Sequence, residues 1–198
     1  MPARHRATGR CDGVDQLLSA ALGASPRRSR CLLHPGEGNR AVTETSDLQL
    51  RLTRHLPASP EQVFDAYTDA EKQKIWFSIL DEEPGIVEIE VDLRVGGQQT
   101  AIWGPSPDQL FRETQTFLVV DRPHRLVTES VGSGPDGMTM TTRVEVTFEP
   151  DGDGTLVTVI QSGFPAVEVR DFFTQEVWVG AFARIEAYLR RGTTAANR

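Results

Sequence analysis

The feature that most constrains the fold is a long amphipathic stretch from about Val167 to Arg190. At about 100° per residue, its apolar side chains form one stripe and an adjoining arc on a helix. The stripe comprises Trp178, Phe182, Ile185 and Leu189, and the arc comprises Phe173, Val177, Ala181 and Tyr188. Because the apolar arc covers about half the circumference, the helix must lie in a deep trough. The economical trough is a strongly curved antiparallel sheet, and one helix rarely fills such a concave face, so an internal hollow is expected.

The first part of this domain predicts one strand followed by two short helices. Leucines alternate with polar residues over 48–56, which is typical of a strand with one buried face. The segment Ser59–Gln62 carries a capping box with proline at the first helical position. A second capping box at Thr68–Glu71 is expected to open a helix that runs toward Phe77.

From Pro84 onward the apolar period changes to two, which predicts a run of strands. The predicted strands cover about residues 87–93, 98–103, 111–120, 126–131, 139–148 and 155–161. Tight turns at Gly96-Gly97, Gly134–Gly137 and Asp151–Gly154 imply antiparallel neighbours. The predicted class is α+β: a curved antiparallel sheet of about six to seven strands wrapped round a long C-terminal helix, with two short helices after the first strand.

Residues 1–46 differ from the rest of the chain. They contain none of the three Trp, two Tyr and nine Phe residues, and they carry seven arginines against four acidic residues. Such a segment cannot offset its ordering entropy by burial. We predict a disordered basic leader over 1–46, the domain over 47–191 and a disordered tail over 192–198. A cleaved targeting signal around Leu17–Ala24 is the alternative, although acidic residues interrupt its pattern.

Composition excludes several classes of partner. The net charge of −7 makes nucleic acid a poor partner, and no apolar run approaches the ~20 residues of a membrane-spanning helix. Two cysteines, Cys11 and Cys31, are too few for a disulfide scaffold, so a cytoplasmic protein is expected. Cys31 and His34 could supply two metal ligands, but nothing in the leader frames a four-ligand site. We therefore expect no metal, no other cofactor and no membrane partner.

The sequence contains no catalytic constellation. It lacks the phosphate-binding glycine loop, the paired-histidine zinc motif and the nucleophile elbow. His55 and His124 are predicted to lie on the surface. The row formed by Glu88, Glu90 and Asp92 could do acid–base work or bind a cation, but a solvated strand face is the simpler interpretation. No catalytic residue is assigned, and binding is favoured over enzyme activity.

Several segments, taken in order, resemble the START-like (SRPBCC) superfamily. They are Leu56–Phe64, the short helix ending near Trp76, Asp92–Gly97, Val119–Val127, Val146–Thr155 and Trp178–Leu189. Within the superfamily the chain is similar to bacterial proteins related to the activator of the heat-shock-protein-90 ATPase. One departure is Val177, where the family usually has a glycine before the tryptophan. The resemblance covers about Leu48–Leu189 and implies a helix-grip fold that binds lipids, sterols, polyketides or other apolar molecules in its trough.

Large side chains on the elements that border the trough are candidates for the lining of a ligand cavity, with an ordinary core as the alternative. They are Trp76, Phe77, Trp103, Phe111, Phe117, Phe172, Phe173, Trp178 and Phe182. Glu129 joins them on one condition. If it points inward with Val127 and Val131, its buried carboxylate would need a partner and would mark a binding or catalytic position.

The expected function is binding of a small hydrophobic or aromatic ligand between the sheet and the C-terminal helix. One alternative, implied by the resemblance, is a chaperone-cofactor-like interaction module whose partner is a chaperone or a second copy of the chain. The other is an enzyme similar to polyketide cyclases or dehydratases. A fully packed interior favours the module and an apolar hollow favours a carrier. A hollow that holds a buried acid with a perturbed pKa favours an enzyme.

Overall fold

The computed structural model describes residues 48–78, 81 and 85–196. The leader predicted over 1–46, including Cys31 and His34, lies outside the described residues. The described strands form one antiparallel sheet of seven strands in the order β1-β7-β6-β5-β4-β3-β2. Their bounds are β1 Gln49–Leu56, β2 Ile86–Val91, β3 Gln98–Gly104, β4 Phe111–Asp121, β5 Arg125–Ser133, β6 Thr139–Asp151 and β7 Gly154–Ser162.

The helices lie where the sequence predicts them. Two short helices follow β1, namely α1 (Pro60–Thr68) and α2 (Ala70–Phe77). After β7 the chain forms α3 (Val167–Phe172), a π-helical turn (Phe173–Val177) and α4 (Trp178–Ala196) without interruption. The predicted helix-grip class is therefore confirmed. The terminal helix continues past residue 191, where the predicted domain ends.

Both short helices have a side-chain N-cap, but the second cap differs from the prediction. Ser59 and Gln62 form the expected capping box, with each side chain accepting from the other residue's backbone N–H at 3.4 and 3.1 Å. The cap of α2 is Asp69, whose Oδ1 accepts from the first-turn N–H groups. Thr68 instead donates from Oγ1 to the Phe64 carbonyl oxygen at 2.8 Å. Asp69 prevails because its carboxylate meets the positive end of the helix dipole.

The predicted Gly96-Gly97 turn between β2 and β3 requires both glycines. Gly96 has a φ of 79°, in the left-handed region that glycine enters most easily. A Cβ at Gly97 would lie 2.2 Å from the carbonyl oxygen of Asp92. A side chain at position 97 would therefore clash with the backbone, and one at position 96 would be held in a strained conformation.

A β-bulge in β4 decides which of its side chains face the helices. Phe117 pairs with Thr128 and Val119 pairs with Val127, so Leu118 is an extra residue in the ladder. Before the bulge the odd-numbered residues of β4 share the concave face with the even-numbered residues of β5. After the bulge, Val120 takes the inward position.

One end of the trough, which we call the closed end, is filled by apolar side chains. Phe64, Phe148, Val157, Val159 and Ile185 define it, and each is 1% exposed or less. The predicted stripe of α4 is confirmed, because its members pack in this core and are at most 8% exposed. From the adjoining arc, Val177 was predicted to be apolar contact surface but is 38% exposed, since the π-helical turn ends there and rotates it outward.

Candidate functional site

The opposite end of the trough contains an inward-facing carboxylate beside two very small residues. Cross-strand pairing sets Glu113 of β4 opposite Ala101 of β3 and opposite Gly132 of β5. A Cβ built at Gly132 would have a single neighbour within 4 Å, the carbonyl oxygen of Arg112 at 4.0 Å. The space above Gly132 is therefore unfilled, and Glu113 borders it.

Glu113 is held by one neighbour and leaves one oxygen free. Ser130, which is 3% exposed, donates from Oγ to Glu113 Oε1 at 2.5 Å. Within the described residues, Oε2 has no hydrogen-bond partner. No buried side-chain oxygen or nitrogen of the described residues lacks a partner, so Oε2 is not sealed in the core. The carboxylate can accept a further hydrogen bond from the open side.

The Tyr67 ring of α1 packs edge-on against Phe148, with ring centroids 6.0 Å apart, and its phenol senses the charge of Glu113. Burial, and after it the negative charge of Glu113, raises the pKa of the Tyr67 phenol far above its usual value. The phenol therefore stays neutral and keeps its proton at ordinary pH. Part of the Tyr67 side chain nevertheless remains exposed, and its hydroxyl has no hydrogen-bond partner in the described part of the chain.

A chain of aromatic rings leads from α2 across this end of the sheet. Trp76 and Phe77 have ring centroids 4.5 Å apart, Phe77 and Trp103 are 5.6 Å apart, and Trp103 stacks on Phe111 at 5.8 Å. Apart from Trp76, these rings are only partly buried. We call the region formed by Phe77, Trp103, Phe111, Glu113 and Gly132 the open end of the trough.

Buried polar side chains separate the open end from the closed end. Gln73 of α2 and Gln99 of β3 exchange amide hydrogen bonds of 2.9 and 3.1 Å. On the other side, Trp178 donates from Nε1 to Gln161 at 2.7 Å, and Gln161 donates to Thr142 Oγ1 at 2.9 Å. Because these bonds are directional and fully shielded, they fix α2 and α4 relative to the sheet.

The position of Phe77 is fixed by an arginine of the terminal helix. Arg184 donates from Nη1 to the Phe77 carbonyl oxygen at 2.6 Å, and its Nη2 lies 2.7 Å from Asp81 Oδ1. This clamp joins α4 to the end of α2. The aromatic side of the open end is therefore carried on a rigid frame.

The structure divides the predicted lining residues into three groups. Four of them, Trp76, Phe117, Trp178 and Phe182, are at most 8% exposed and offer little surface to a ligand. Phe77, Trp103 and Phe111 lie at the open end. Phe172 and Phe173 are partly exposed, and the Phe173 ring lies 5.3 Å from that of Phe164, a member of the buried core.

The condition attached to Glu129 is not met, because this side chain is exposed on the outer face of the sheet. Leu126, Thr128 and Ser130 take the inward positions of β5. Glu129, between Thr128 and Ser130, therefore faces outward. The inward carboxylate is Glu113, which the sequence analysis missed. The sequence did contain a signal for this residue. Glu113 lies two residues from Phe111 and four from Phe117 on the same strand, and side chains at even spacings on a strand face the same side of the sheet.

Two depressions lie on the outer face of the sheet rather than in the trough. One of about 430 Å³ includes Glu90, Asp92 and Arg94, and one of about 300 Å³ includes Arg51 and Glu145. Polar and charged side chains predominate in both linings, beside Val91 in the first and Leu156 and Ile160 in the second. Neither opens into the space between the sheet and α4, so neither corresponds to the predicted hollow.

The other polar candidates of the sequence are surface features. Glu88 and Glu90 are exposed, and His55 places Nε2 3.0 Å from the carbonyl oxygen of Asp151. Among the described residues, no group of three or more His, Cys, Asp or Glu side chains could hold a metal ion. Within the same residues, no helix is long and apolar enough to cross a bilayer.

A curved sheet that clasps a long C-terminal helix, with a polar group at its open end, defines a helix-grip protein of the START-like superfamily. The sequence model of the family "Activator of Hsp90 ATPase homolog 1-like protein" matches residues 57–190, and the chain belongs to this family. The resemblance inferred from the sequence is thereby confirmed. A search of curated proteins finds no match.

Solved structures share the fold at low sequence identity. An uncharacterised protein from Rhizobium leguminosarum superposes with a TM-score of 0.62 at 19% identity, covering 73% of this chain and 95% of that one. Protein Ms6760 from Mycobacterium smegmatis gives 0.59 at 21% identity, covering 74% and 93%. DynU16, a protein of the dynemicin biosynthetic locus, gives 0.55 at 18% identity, covering 73% of this chain and 48% of its own. At these identities the similarity shows the fold alone.

Proposed function

We propose that the protein binds a small apolar or aromatic molecule at the open end of the trough. The observation that carries this proposal is the unfilled space above Gly132, where an added Cβ would meet only the Arg112 carbonyl oxygen, at 4.0 Å. An apolar ligand that entered this space would gain about 25 cal/mol for each Å² of apolar surface removed from water. No catalytic group is needed for such binding.

The half-buried aromatic rings beside this space support the proposal. Trp103 and Phe111 stack at 5.8 Å, so they present a continuous aromatic surface rather than separate rings. Rings of this kind offset-stack with a flat ligand, and each pair contributes about 0.5–1.5 kcal/mol beyond the burial of area. The surface is also preorganised, because Arg184 holds Phe77 at 2.6 Å through its carbonyl oxygen.

The experiment is a titration with N-phenyl-1-naphthylamine, an uncharged aromatic dye whose fluorescence rises in an apolar site. The wild-type protein is expected to bind it saturably. In the variant Gly132→Leu the new side chain enters the unfilled space, so the affinity for the dye should fall at least tenfold. The folded state should tolerate the change, since a Cβ at Gly132 meets no atom closer than 4.0 Å.

The matched control is Val131→Leu, because Val131 is the next residue on β5 and is 41% exposed on the outer face. Dye affinity in this variant should equal that of the wild type. The proposal is wrong if the wild-type protein shows no saturable binding, or if both variants bind the dye as the wild type does. Native mass spectrometry of the purified protein would then identify any molecule that co-purifies.

The family match favours a second candidate, a chaperone cofactor. Its partner would meet the outer face of the sheet, where charged side chains such as Arg51, Glu90 and Glu145 are accessible. This candidate predicts that added protein changes the ATPase rate of a bacterial heat-shock protein 90. It further predicts that Gly132→Leu, which alters only the inner face, leaves that change intact.

We also propose a cytoplasmic location and a ligand bound without a cofactor, as the low cysteine content suggests. An enzyme similar to polyketide cyclases is the third candidate. It would have to use Glu113, the inward-facing carboxylate at the open end. Conversion of a bound polyketide chain by the wild type but not by Glu113→Gln would establish it.

A further inference from the structure

We propose that the open end recognises a positively charged amino group on its apolar or aromatic ligand, with the Glu113 carboxylate as counter-ion and the Trp103 and Phe111 rings as the aromatic contact. The inference rests on the proposed function and adds the chemical class of the ligand, an organic amine. The geometry that points to it is an inward carboxylate without a cation, beside an unfilled space and two stacked rings.

The Glu113 carboxylate has no positively charged partner among the described residues. None of the ion pairs in this part of the chain includes it. Arg112, its neighbour in sequence, is exposed on the outer face, because successive side chains of a strand point to opposite faces. A half-buried negative charge is costly unless a cation or hydrogen-bond donors compensate it. Ser130 supplies one hydrogen bond, so the charge is only partly compensated.

Ser130 also determines which oxygen of the carboxylate is available. Its Oγ donates to Oε1 at 2.5 Å, and Oε2 has no hydrogen-bond partner within the described residues. Because Oε1 is held, an approaching cation meets an oriented acceptor rather than a freely rotating one. A hydrogen bond from an ammonium group to a carboxylate is charge-assisted and therefore strong. Glu113 is thus prepared to bind an amino group through Oε2.

Room for the amino group lies beside Glu113 in its own cross-strand row. The partners of Glu113 are Ala101 on one side and Gly132 on the other, so neither extends a long side chain over the carboxylate. A Cβ at Gly132 would meet only the Arg112 carbonyl oxygen, at 4.0 Å. An ammonium group is close to a methyl group in size. It is therefore compact enough for the space that glycine leaves.

Trp103 and Phe111 occupy the adjoining row of the same face. They are cross-strand partners, and their rings stack with centroids 5.8 Å apart. Phe111 is two residues from Glu113 on β4, and Trp103 is the diagonal neighbour of Glu113 on β3, a separation that long and aromatic side chains span. The face of an aromatic ring attracts a cation within about 6 Å of its centroid. The rings therefore favour the same charge as the carboxylate does.

The arginine that lies near this aromatic surface is already paired. Arg184 donates to the Phe77 carbonyl oxygen, and its Nη2 is 2.7 Å from Asp81 Oδ1. Its charge is therefore compensated by Asp81 and not by Glu113. The net charge of −7 also favours the approach of a cation over that of an anion. A ligand carboxylate would be repelled by Glu113, and a neutral hydroxyl would leave its charge uncompensated.

The test compares competitors that share a naphthalene body and differ in charge. N-phenyl-1-naphthylamine bound to the wild-type protein is displaced at pH 7 by 2-naphthylmethylammonium, by 2-naphthylmethanol or by 2-naphthylacetate. The ammonium compound should compete about tenfold better than the alcohol, which corresponds to about 1.4 kcal/mol, and the acetate should compete worst. Added salt should reduce the preference for the ammonium compound, because salt screens a partly exposed ion pair.

Variants assign the preference to Glu113. Glu113→Gln removes the charge but keeps an oxygen that can accept from Ser130, so the fold should tolerate the change. In this variant the ammonium compound should compete no better than the alcohol. Glu129→Gln removes the same charge from the exposed outer face of β5 and should keep the wild-type preference. If Glu113→Gln does not fold, the comparison of the three competitors on the wild-type protein still decides the outcome.

The results separate the two proposals. Saturable dye binding with equal competition by the ammonium compound and the alcohol would overturn the amine inference and leave the binding function standing. Stronger competition by the acetate, or an undiminished preference for the ammonium compound in Glu113→Gln, would overturn it as well. A wild-type protein that does not bind the dye removes both proposals.

Discussion

The two ends of the trough are built from the same strands, yet they differ in how they are filled. At the closed end large apolar side chains from α1, α4 and the sheet meet with 1% exposure or less. At the open end Gly132 and Ala101 flank Glu113, and the nearby rings remain partly exposed. Dense packing stabilises a fold, whereas a gap that is already formed in the free protein is available to a ligand. Under the proposed function, stability and binding are divided between two ends of one sheet.

The largest expected effect is at the closed end. Phe148 is 1% exposed, and its ring packs edge-on against Phe64 with centroids 5.4 Å apart. Phe148→Ala should lower the free energy of unfolding by about 3–5 kcal/mol, since it removes a buried ring and leaves a cavity. Denaturant unfolding measures this value. A loss below about 1 kcal/mol would show that the closed end is not densely packed.

The boundary between the two ends should give the next largest effect. Gln161→Leu leaves the Trp178 indole N–H, now bonded at 2.7 Å, without an acceptor. We expect a loss of about 1–3 kcal/mol in unfolding free energy. A double-mutant cycle with Trp178→Phe isolates the bond, because the two losses should not add. Strict additivity would mean that this hydrogen bond stabilises nothing.

Removing a ring at the open end should affect binding more than folding. Phe111 is only partly buried and stacks on Trp103. Phe111→Ala should weaken binding of N-phenyl-1-naphthylamine about tenfold, which corresponds to about 1.4 kcal/mol, and should reduce stability by about 1 kcal/mol. Because Phe148→Ala is the same substitution at the other end, the pair tests the division directly. A stability loss as large as that of Phe148→Ala would contradict it.

The smallest expected effect is an ion pair at the rim of the closed end. Hydrogen bonds from Arg54 and Arg190 lower the pKa of Glu186, against a small opposing effect of burial. A lowered pKa in the folded state means that the pair stabilises the protein above the usual value of 4.5 and that this stability is lost as the pH falls through the folded value. Glu186→Gln should therefore cost less than about 1 kcal/mol at pH 7.

The measurement is unfolding free energy at pH 7 and at pH 3. The difference between wild type and Glu186→Gln should shrink at the lower pH, because pH 3 lies below the usual value of 4.5, so the unfolded chain takes up a proton that the folded ion pair resists. An undiminished difference would assign the effect to packing rather than to charge. The affinity for the dye should be the same in both proteins, since Glu186 lies away from the open end.

Most of the fold follows from the sequence because its signals are periodic or local. Alternation marks the strands, and half-apolar faces mark the terminal helix. The second helix cap was misplaced by one residue, since Thr68 and Asp69 are both good capping residues. The site was harder to predict. Leu126, Val127 and Thr128 are consecutive and all buried, so the apolar pattern of β5 does not reveal which residues face the helices.

Glu113 could have been found from β4 alone, and the error with Glu129 came from trusting its neighbours. Val127 and Val131 suggested that the odd-numbered residues of β5 face the helices, which is wrong. Phe111 and Phe117 indicate the inward-facing residues of β4 more securely, because aromatic rings are costly to expose. The gap at Gly132 could not be predicted. A glycine in a strand can mark a bulge, a bend or a close approach, and only the surrounding structure shows that Gly132 leaves room.

The extra residue at Leu118 has a consequence for how this scaffold can diversify. Before Leu118 the odd-numbered residues of β4 face the helices, and after it the even-numbered residue Val120 does. The side chains of β4 that we propose to contact a ligand therefore lie before the bulge, and the inward position after the bulge, Val120, packs against the core. Substitutions at positions 111, 113 and 115 would then change which ligand the proposed site binds, while the part of β4 that packs in the core keeps its position.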